Sequence, residues 1–355
     1  MKADQTAKNV PVAAGISDVL MRHPDAAETQ PQVPLTSAIW VEDSSSSYHM
    51  DGKCQLLINR YLGLSLMNAG DPLMAKVNSE LLKLAFDYPC LMHASLAVAL
   101  TYDRHVNSSV GHRRTVEECS HWSEATVLLN KRLLQPIKAK DKDPIWGTAA
   151  ALTIITFSSP DACTPQDSWP LQCSRSSDLY WLYMGEGKMS LWDILNPLRP
   201  DSIFRVMSAT YALMNTPLPH SGIDGIPSAI AAVCHLEDST TEESSSYFHA
   251  AHAVSRILQL QDGEVDVAQV QFFMRSINGH FKDLLGRKDP VALLLLYLWY
   301  QKAGRSIWWI EARAKIECPS ICSYLHIYHS RNTAVMAFLS SRTDFAEVPN
   351  QPRFT

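Results

Sequence analysis

The chain has 355 residues, of which 46% are apolar and only 19% are charged, whereas soluble domains usually carry about 25% charged residues. Lys and Arg number 31 against 36 Asp and Glu, for a net charge of −5, which argues against a nucleic-acid-binding face and against a basic membrane-surface face. A helical chain of this length can bury about three quarters of its unfolded surface in one domain, so we expect a single large domain.

Residues 1–50 contain four prolines, a run of serines at 44–47 and few aromatic residues. Such a segment buries too little apolar surface to offset its ordering entropy, and we predict a disordered N-terminal tail. It has no apolar stretch typical of a secretory signal, and the eight scattered cysteines suit a reducing compartment. The sequence therefore predicts an intracellular protein of the nucleus or the cytoplasm.

From about Leu56 onward the apolar spacing is helical, and strand-like alternation is not found. Acid–proline or aromatic–proline pairs mark helix starts, because an aspartate caps the first turn and proline suits its first position. These pairs are Asp71–Pro72, Tyr88–Pro89, Asp143–Pro144 and Asp289–Pro290. We predict an all-α, irregular domain of ten to twelve helices over 51–345, followed by a C-terminal tail at 346–355. The longest apolar run, residues 291–300, is too short to span a membrane.

Aromatic and methionine side chains provide the candidate binding residues, because they can line an apolar pocket and tryptophan adds an N–H donor. The same side chains can instead fill the core, and His93 can be a hydrogen-bonded core histidine, so both interpretations stay open. The predicted ligand-binding residues are Trp181, Met184, Phe204, Trp299, Trp308, Trp309 and His93.

Familiar catalytic motifs are not found in this sequence. The segment GEGKMS at Gly185–Ser190 falls within a predicted helix and has methionine where a phosphate-binding loop needs Ser or Thr. Cys318, Cys322 and His326 share one helix face, but their eight-residue span covers about 12 Å of axis, which favours core packing over a metal site. We therefore predict no metal and no cofactor, and the sequence identifies no catalytic residue.

Four segments, taken in order, resemble the C-terminal regulatory domain of fungal zinc-cluster transcription factors of the sterol uptake control protein type. They are DYPCLMHASLAVAL at 87–100, IWGTAAALTIITFSS at 145–159, DLYWLYMGEGKMSLW at 178–192 and DPVALLLLYLWYQKAGRSIWWIEARAKI at 289–316. The resemblance implies an all-helical domain that binds a sterol- or terpenoid-like molecule in an apolar pocket and couples binding to transcription.

The zinc cluster of that family needs six cysteines within a basic segment that is about 30 residues long. It is not found here, since Cys54 is the one cysteine before Cys90. The resemblance then implies a transcription co-regulator that does not contact DNA itself and acts through a protein partner, or a gene model that lacks an upstream exon.

An enzyme of fungal secondary metabolism is the alternative use of the same fold. A pericyclic cyclisation of a terpenoid, such as an intramolecular Diels–Alder reaction, needs a folded substrate and one hydrogen-bond donor rather than a cofactor. Such a Diels–Alderase would leave no catalytic motif in the sequence. A purely structural interaction module is the third class.

Overall fold

The structure is a computed structural model, and its described part belongs to one compact unit that begins at Ala38. This part is helical apart from one hairpin, so the predicted all-α class is confirmed. None of its helices is long and apolar enough to cross a membrane. Residues 1–38 of the predicted tail and the predicted C-terminal tail lie outside the described residues. The described residues are 39–43, 46–107, 113–175, 177–261, 264–277 and 279–340.

The hairpin pairs β1 (Ile39–Glu42) with β2 (Ser47–Met50) in antiparallel register, with Ile39 opposite Met50. At its turn, the Asp43 carboxylate accepts the backbone N–H of Ser46 at 2.9 Å, while the side chains of Val41 and Met50 are buried. Residues 39–50 were expected to belong to the tail, so the folded part begins earlier than predicted. Four alternating residues are too short a pattern to distinguish a strand from irregular chain.

Fifteen α-helices follow the hairpin in the described part of the chain. They are α1 (Gly52–Ile58), α2 (Pro72–Ala85), α3 (Pro89–Asn107), α4 (Val116–Leu133), α5 (Lys142–Ser158), α6 (Tyr180–Ser190), α7 (Trp192–Leu195), α8 (Ser208–Met214), α9 (Ser228–Val233), α10 (Phe248–Leu258), α11 (Val267–Ser276), α12 (Gly279–Gly286), α13 (Pro290–Ala303), α14 (Trp308–His329) and α15 (Thr333–Ser340). Short turns of other helix types lie at Asn59–Gly63, Leu66–Asn68, Ala139–Asp141, Pro165–Asp167 and Ile203–Met207.

Two of the predicted aspartate caps are confirmed. The Asp71 carboxylate accepts two backbone N–H groups from the first turn of α2, and Asp289 does the same for α13, at 3.0 Å in each case. Asp289 also accepts the hydroxyl of Tyr247 at 3.0 Å. These carboxylates satisfy N–H groups that a helix start leaves without partners.

Asp143 does not cap a helix, because α5 already begins at Lys142. Its carboxylate instead accepts the hydroxyl of Ser202 at 2.8 Å and the backbone N–H of Ile203 at 3.1 Å, and it pairs with Arg199. The prediction of a cap at Asp143 is wrong, since a contact with a segment about 60 residues downstream takes up the carboxylate.

The core consists of three clusters of buried apolar side chains. The largest surrounds α13, whose side chains from Leu293 to Leu296 are completely buried. A second cluster surrounds Trp146 on α5, and the third joins the hairpin and α1 to α2 and α3. Helix α3 is buried continuously from Pro89 to Thr101, so it lies at the centre of the core.

Candidate functional site

A cleft of about 810 Å³ opens beside the aromatic core. Its volume lies within the range of about 300–1,000 Å³ that is typical of small-molecule sites. The ends of α3 and α5, the start of α4, the start of α6 and one face of α14 contribute to its lining, together with the segment between α5 and α6. It is the strongest candidate site in the described part of the chain.

The segment between α5 and α6 forms one wall of the cleft, with a single short helical turn at Pro165–Asp167. Ser320 of α14 fastens this wall: its hydroxyl donates to the carbonyl of Ser168 at 3.1 Å and accepts the backbone N–H of Leu171 at 3.5 Å. Serine, proline and aspartate dominate this segment, which explains why no long helix forms there.

Trp181 provides the aromatic surface at the base of the cleft. It is 1% exposed, and its ring packs edge-on against Phe157 at a centroid distance of 4.8 Å. The guanidinium of Arg313 lies 5.2 Å from the Phe157 ring and 5.8 Å from the Trp181 ring. The buried indole N–H of Trp181 has no hydrogen-bond partner among the described residues. Buried tryptophan N–H groups are usually paired, so this donor and the indole N–H of Trp299 are exceptions.

A buried ion pair lies behind the aromatic surface. Arg313 pairs with Glu317 one turn further along α14, and it donates to the carbonyls of Phe157 at 2.5 Å and Thr156 at 3.2 Å. The hydroxyl of Tyr300 donates to the second oxygen of Glu317 at 2.6 Å. Burial raises the pKa of Glu317, and the charge of Arg313 opposes that rise. The cluster is therefore a hydrogen-bonded unit that holds α14 against α5.

The charge of the cleft is mixed but predominantly basic. Arg104 pairs with Glu118 at 2.8 Å, and Arg114 pairs with Asp161 at 2.7 Å. No carboxylate partners the side chains of two further lining arginines, Arg113 and Arg175, among the described residues. The lining cations are Arg104, Arg113, Arg114, Arg175, Arg313 and Lys315, and the lining carboxylates are Asp161, Asp167, Asp178 and Glu317.

Of the seven predicted ligand-binding residues, Trp181 is the one that lines this cleft. Trp299 and Trp309 belong to the same aromatic cluster, with ring centroids 5.9 Å and 5.0 Å from that of Phe157. Trp299 is fully buried and stacks on Phe273 at 5.0 Å. These rings pack against one another rather than around a cavity, which is the core-filling alternative.

Phe204 and Met184 lie in the second core cluster, away from Trp299. Trp308 packs against both clusters, and its ring lies 5.0 Å from that of Tyr102. The structure therefore does not bring the predicted set around one cavity. The position of an aromatic residue in a predicted helix does not reveal whether its side chain lines a cavity or packs against other rings in the core.

His93, the seventh predicted residue, belongs to a separate buried cluster. Its Nδ1 atom lies 2.8 Å from Nδ1 of His121, and its ring lies 4.4 Å from that of Tyr48. Burial lowers the pKa of His93 to about 4, and the neighbouring His121 adds to that effect. Both histidines are thus neutral at pH 7, and one N–H is shared between their facing nitrogens.

Cys54 and Glu117 complete this cluster, and the sequence reasoning missed both. The Sγ atom of Cys54 lies 3.9 Å from Nε2 of His121 and 3.8 Å from Oε1 of Glu117. The second Glu117 oxygen pairs with Lys53. Burial raises the pKa of the Cys54 thiol to about 11. Glu117 and His121 are four residues apart on α4, a spacing that places them on one helix face, but Cys54 is more than 60 residues upstream.

Cys318, Cys322 and His326, which share one face of α14 in the sequence pattern, do not form a metal site in the structure. Cys318 is buried in the largest core cluster, whereas Cys322 is half-buried and His326 is exposed. The His326 Nδ1 atom lies 2.8 Å from the carbonyl oxygen of Cys322, on its own helix. Among the described residues, these three side chains do not converge on a common point.

No protein-family model matches the chain, and no curated protein sequence matches it. The resemblance to fungal regulatory domains therefore depends on the four segments alone.

Proposed function

We propose that the chain binds an amphipathic small molecule, with a polycyclic terpenoid-like skeleton and an acidic group, in the cleft at Trp181. The observation that carries this proposal is the pairing of an aromatic base with two arginines, Arg113 and Arg175, whose side chains have no carboxylate partner among the described residues. The two arginine side chains are exposed and do not hold the helices together, and the two features together suit a ligand with one apolar part and one anionic part.

Arginine recognises carboxylates well because its planar guanidinium can donate two parallel N–H bonds. Trp122 and Trp181 both line the cleft, and the half-buried Trp122 is the one with more ring surface exposed. A neutral sterol has a hydroxyl as its polar group and would leave the arginines without an anionic partner. The composition of the lining therefore favours an acidic terpenoid over the neutral sterol that the family resemblance implies.

The role of ligand-responsive transcription co-regulator is supported by that family resemblance. In this proposal the acid occupies the cleft, and the bound domain interacts with a DNA-binding protein partner. Two of the four carboxylates that line the cleft are already neutralised, since Asp161 is paired with Arg114 and Glu317 with Arg313.

Calorimetric titration with abietic acid, its methyl ester and ergosterol tests the proposal. We expect abietic acid to bind, and the double variant Arg113→Gln/Arg175→Gln to weaken its binding about tenfold, because charge-assisted hydrogen bonds are lost. The double variant should bind the ester as the natural chain does. Arg331→Gln, which changes an exposed arginine on another part of the surface, is the matched control. Equal affinities for acid and ester, unchanged by the double variant, would contradict the proposal.

A terpenoid cyclase is the second candidate, and the unpartnered N–H of Trp181 is the observation that favours it. A donor in a water-poor site can polarise the carbonyl of a dienophile and stabilise the charge that develops in the transition state. Loss of one such donor costs about 10²-fold in rate. A decatrienone, with a tethered diene and enone, is the probe: the chain should accelerate its cyclisation, and Trp181→Phe should remove most of that acceleration. A rate equal to that in buffer would reject the cyclase.

A further inference from the structure

Three ligand-type atoms converge where the hairpin and α1 pack against α3 and α4. They are Sγ of Cys54, an oxygen of Glu117 and a ring nitrogen of His121, and all three lie within 4.8 Å of one another. Cys54 and His121 are buried, and Glu117 is half-buried. The cleft lining does not include Cys54, Glu117 or His121, so this cluster is a second and separate feature.

We propose that Cys54, Glu117 and His121 form a zinc-binding site that leaves one coordination position open. Thiolate, imidazole and carboxylate are the three protein ligand types that zinc accepts, and three protein ligands with an open fourth position are typical of its reactive sites. Hard cations such as Mg²⁺ and Ca²⁺ prefer oxygen ligands only, so the sulfur and nitrogen donors select against them.

The distances fit this assignment. With Zn–S and Zn–N bonds of ordinary length and a tetrahedral angle, the sulfur and nitrogen ligands stand about 3.6 Å apart. The observed Cys54–His121 and Cys54–Glu117 separations are 3.9 Å and 3.8 Å. The two separations from the sulfur atom are therefore within a few tenths of an ångström of the values for one shared ion, and the Glu117 oxygen and the His121 nitrogen lie within 4.8 Å of each other.

The surroundings of the three ligands also suit a metal centre. Zinc-bound histidines usually hold their second ring nitrogen in a hydrogen bond, which fixes the ring and its tautomer. Here the Nε2 atom of His121 faces Cys54, and its Nδ1 atom faces Nδ1 of His93 at 2.8 Å. Lys53 occupies the other oxygen of Glu117 and leaves Oε1 directed toward Cys54. His93 is thus a positioning residue in this proposal.

A catalytic cysteine is a weaker interpretation of the same cluster. Reactive cysteines are partly exposed and lie in electropositive surroundings that favour the thiolate, whereas Cys54 is 2% exposed and the neighbouring Lys53 is paired with Glu117. Zinc instead replaces the thiol proton: the S–H bond breaks, the Zn–S bond forms and the proton passes to solvent.

Metal titration of the full chain tests the proposal. The chelator-stripped chain should bind one equivalent of Zn²⁺ in competition with a chromophoric chelator. Co²⁺, used as a spectroscopic probe, should give visible bands of a four-coordinate ion together with a thiolate-to-cobalt charge-transfer band. Cys54→Ser and His121→Gln should each weaken Zn²⁺ binding more than 100-fold. His93→Gln, which leaves all three ligands in place, should weaken it about 10–100-fold.

Adventitious binding at other thiols is controlled by the triple variant Cys119→Ala/Cys163→Ala/Cys173→Ala, which removes three cysteines that are exposed or half-buried and should bind Zn²⁺ as the natural chain does. Circular dichroism of each variant separates lost binding from lost folding. The cobalt spectrum needs no substitution, so it tests the site even if a variant does not fold. A natural chain without stoichiometric binding, a cobalt complex without the thiolate band, or unchanged binding in Cys54→Ser would overturn the proposal.

Discussion

Two buried polar clusters of this protein use opposite arrangements of charge. Behind the cleft, Arg313 brings a positive charge and several N–H donors to Glu317, whose two oxygens accept from Arg313 and Tyr300. Beside the hairpin, Cys54, Glu117 and His121 place a sulfur, an oxygen and a nitrogen atom within 4.8 Å of one another. The first cluster is a buried ion pair whose hydrogen bonds are already made, whereas the second, in our proposal, exchanges the thiol proton of Cys54 for a zinc ion.

This difference indicates what each cluster contributes. A buried ion pair with its hydrogen bonds made fixes neighbouring helices in place, although its net contribution to stability is small because both charges were removed from water. The cluster of Cys54, Glu117 and His121 can instead bind a metal ion, because one ion can contact all three side chains at once. Substitutions in the two clusters should therefore affect different measurements.

The largest effect is expected from Glu317→Ala, which leaves the charge of Arg313 buried without its carboxylate. Breaking a buried pair in this way costs about 3–5 kcal/mol, measured as the loss in free energy of unfolding in urea. Glu80→Ala on α2 is the control, because Glu80 is partly exposed and pairs with the exposed Lys83, and it should cost at most about 1 kcal/mol. Equal losses in the free energy of unfolding of the two variants would contradict the distinction between a buried and a surface ion pair.

The next largest effect is expected from zinc. A ligand at 100 times its Kd stabilises the folded state by about 2.7 kcal/mol, so zinc should raise the midpoint of unfolding and a chelator should reverse the change. Cys54→Ser should not respond to zinc, whereas Glu317→Gln should respond as the natural chain does. A zinc response that persists in Cys54→Ser would show that the ion binds elsewhere.

The smallest effect is expected when both charges of the first cluster are removed together. Apolar residues of similar volume often replace a buried pair without loss, so Arg313→Met/Glu317→Leu should lose only about 1–2 kcal/mol, the cost of leaving the buried hydroxyl of Tyr300 without its acceptor. Its affinity for zinc should not change. If the double variant is as unstable as Glu317→Ala, the ion pair of Arg313 and Glu317 stabilises the fold more than apolar residues at the same positions do.

Much of the helical framework could be predicted from the sequence because its signals are local. Asp71 and Asp289 cap the helices that follow them, and Thr115 caps α4 through the backbone N–H of Glu118. The unbroken apolar pattern of α3 indicates its central position. In each case the information lies within a few residues of the feature, so no knowledge of the tertiary structure is needed.

The features that could not be predicted depend on residues that are distant in sequence. Asp143 has the spacing of a cap, yet Arg199 and Ser202 take up its carboxylate. His93 was singled out as one histidine in an apolar helix, but its partner His121 lies 28 residues downstream. Trp299 could not be assigned to the core or to a cavity, because only the packed structure decides which rings its side chain contacts.

The segment between α5 and α6 has a consequence for how this fold can change its specificity. It forms a wall of the cleft, and the hydroxyl of Ser320 fastens it to α14. Irregular surface segments accept insertions and substitutions more easily than packed helices do. Under the proposed function, related chains can therefore alter which molecules the cleft binds by varying this stretch, while the helices that it covers keep their sequence and their arrangement.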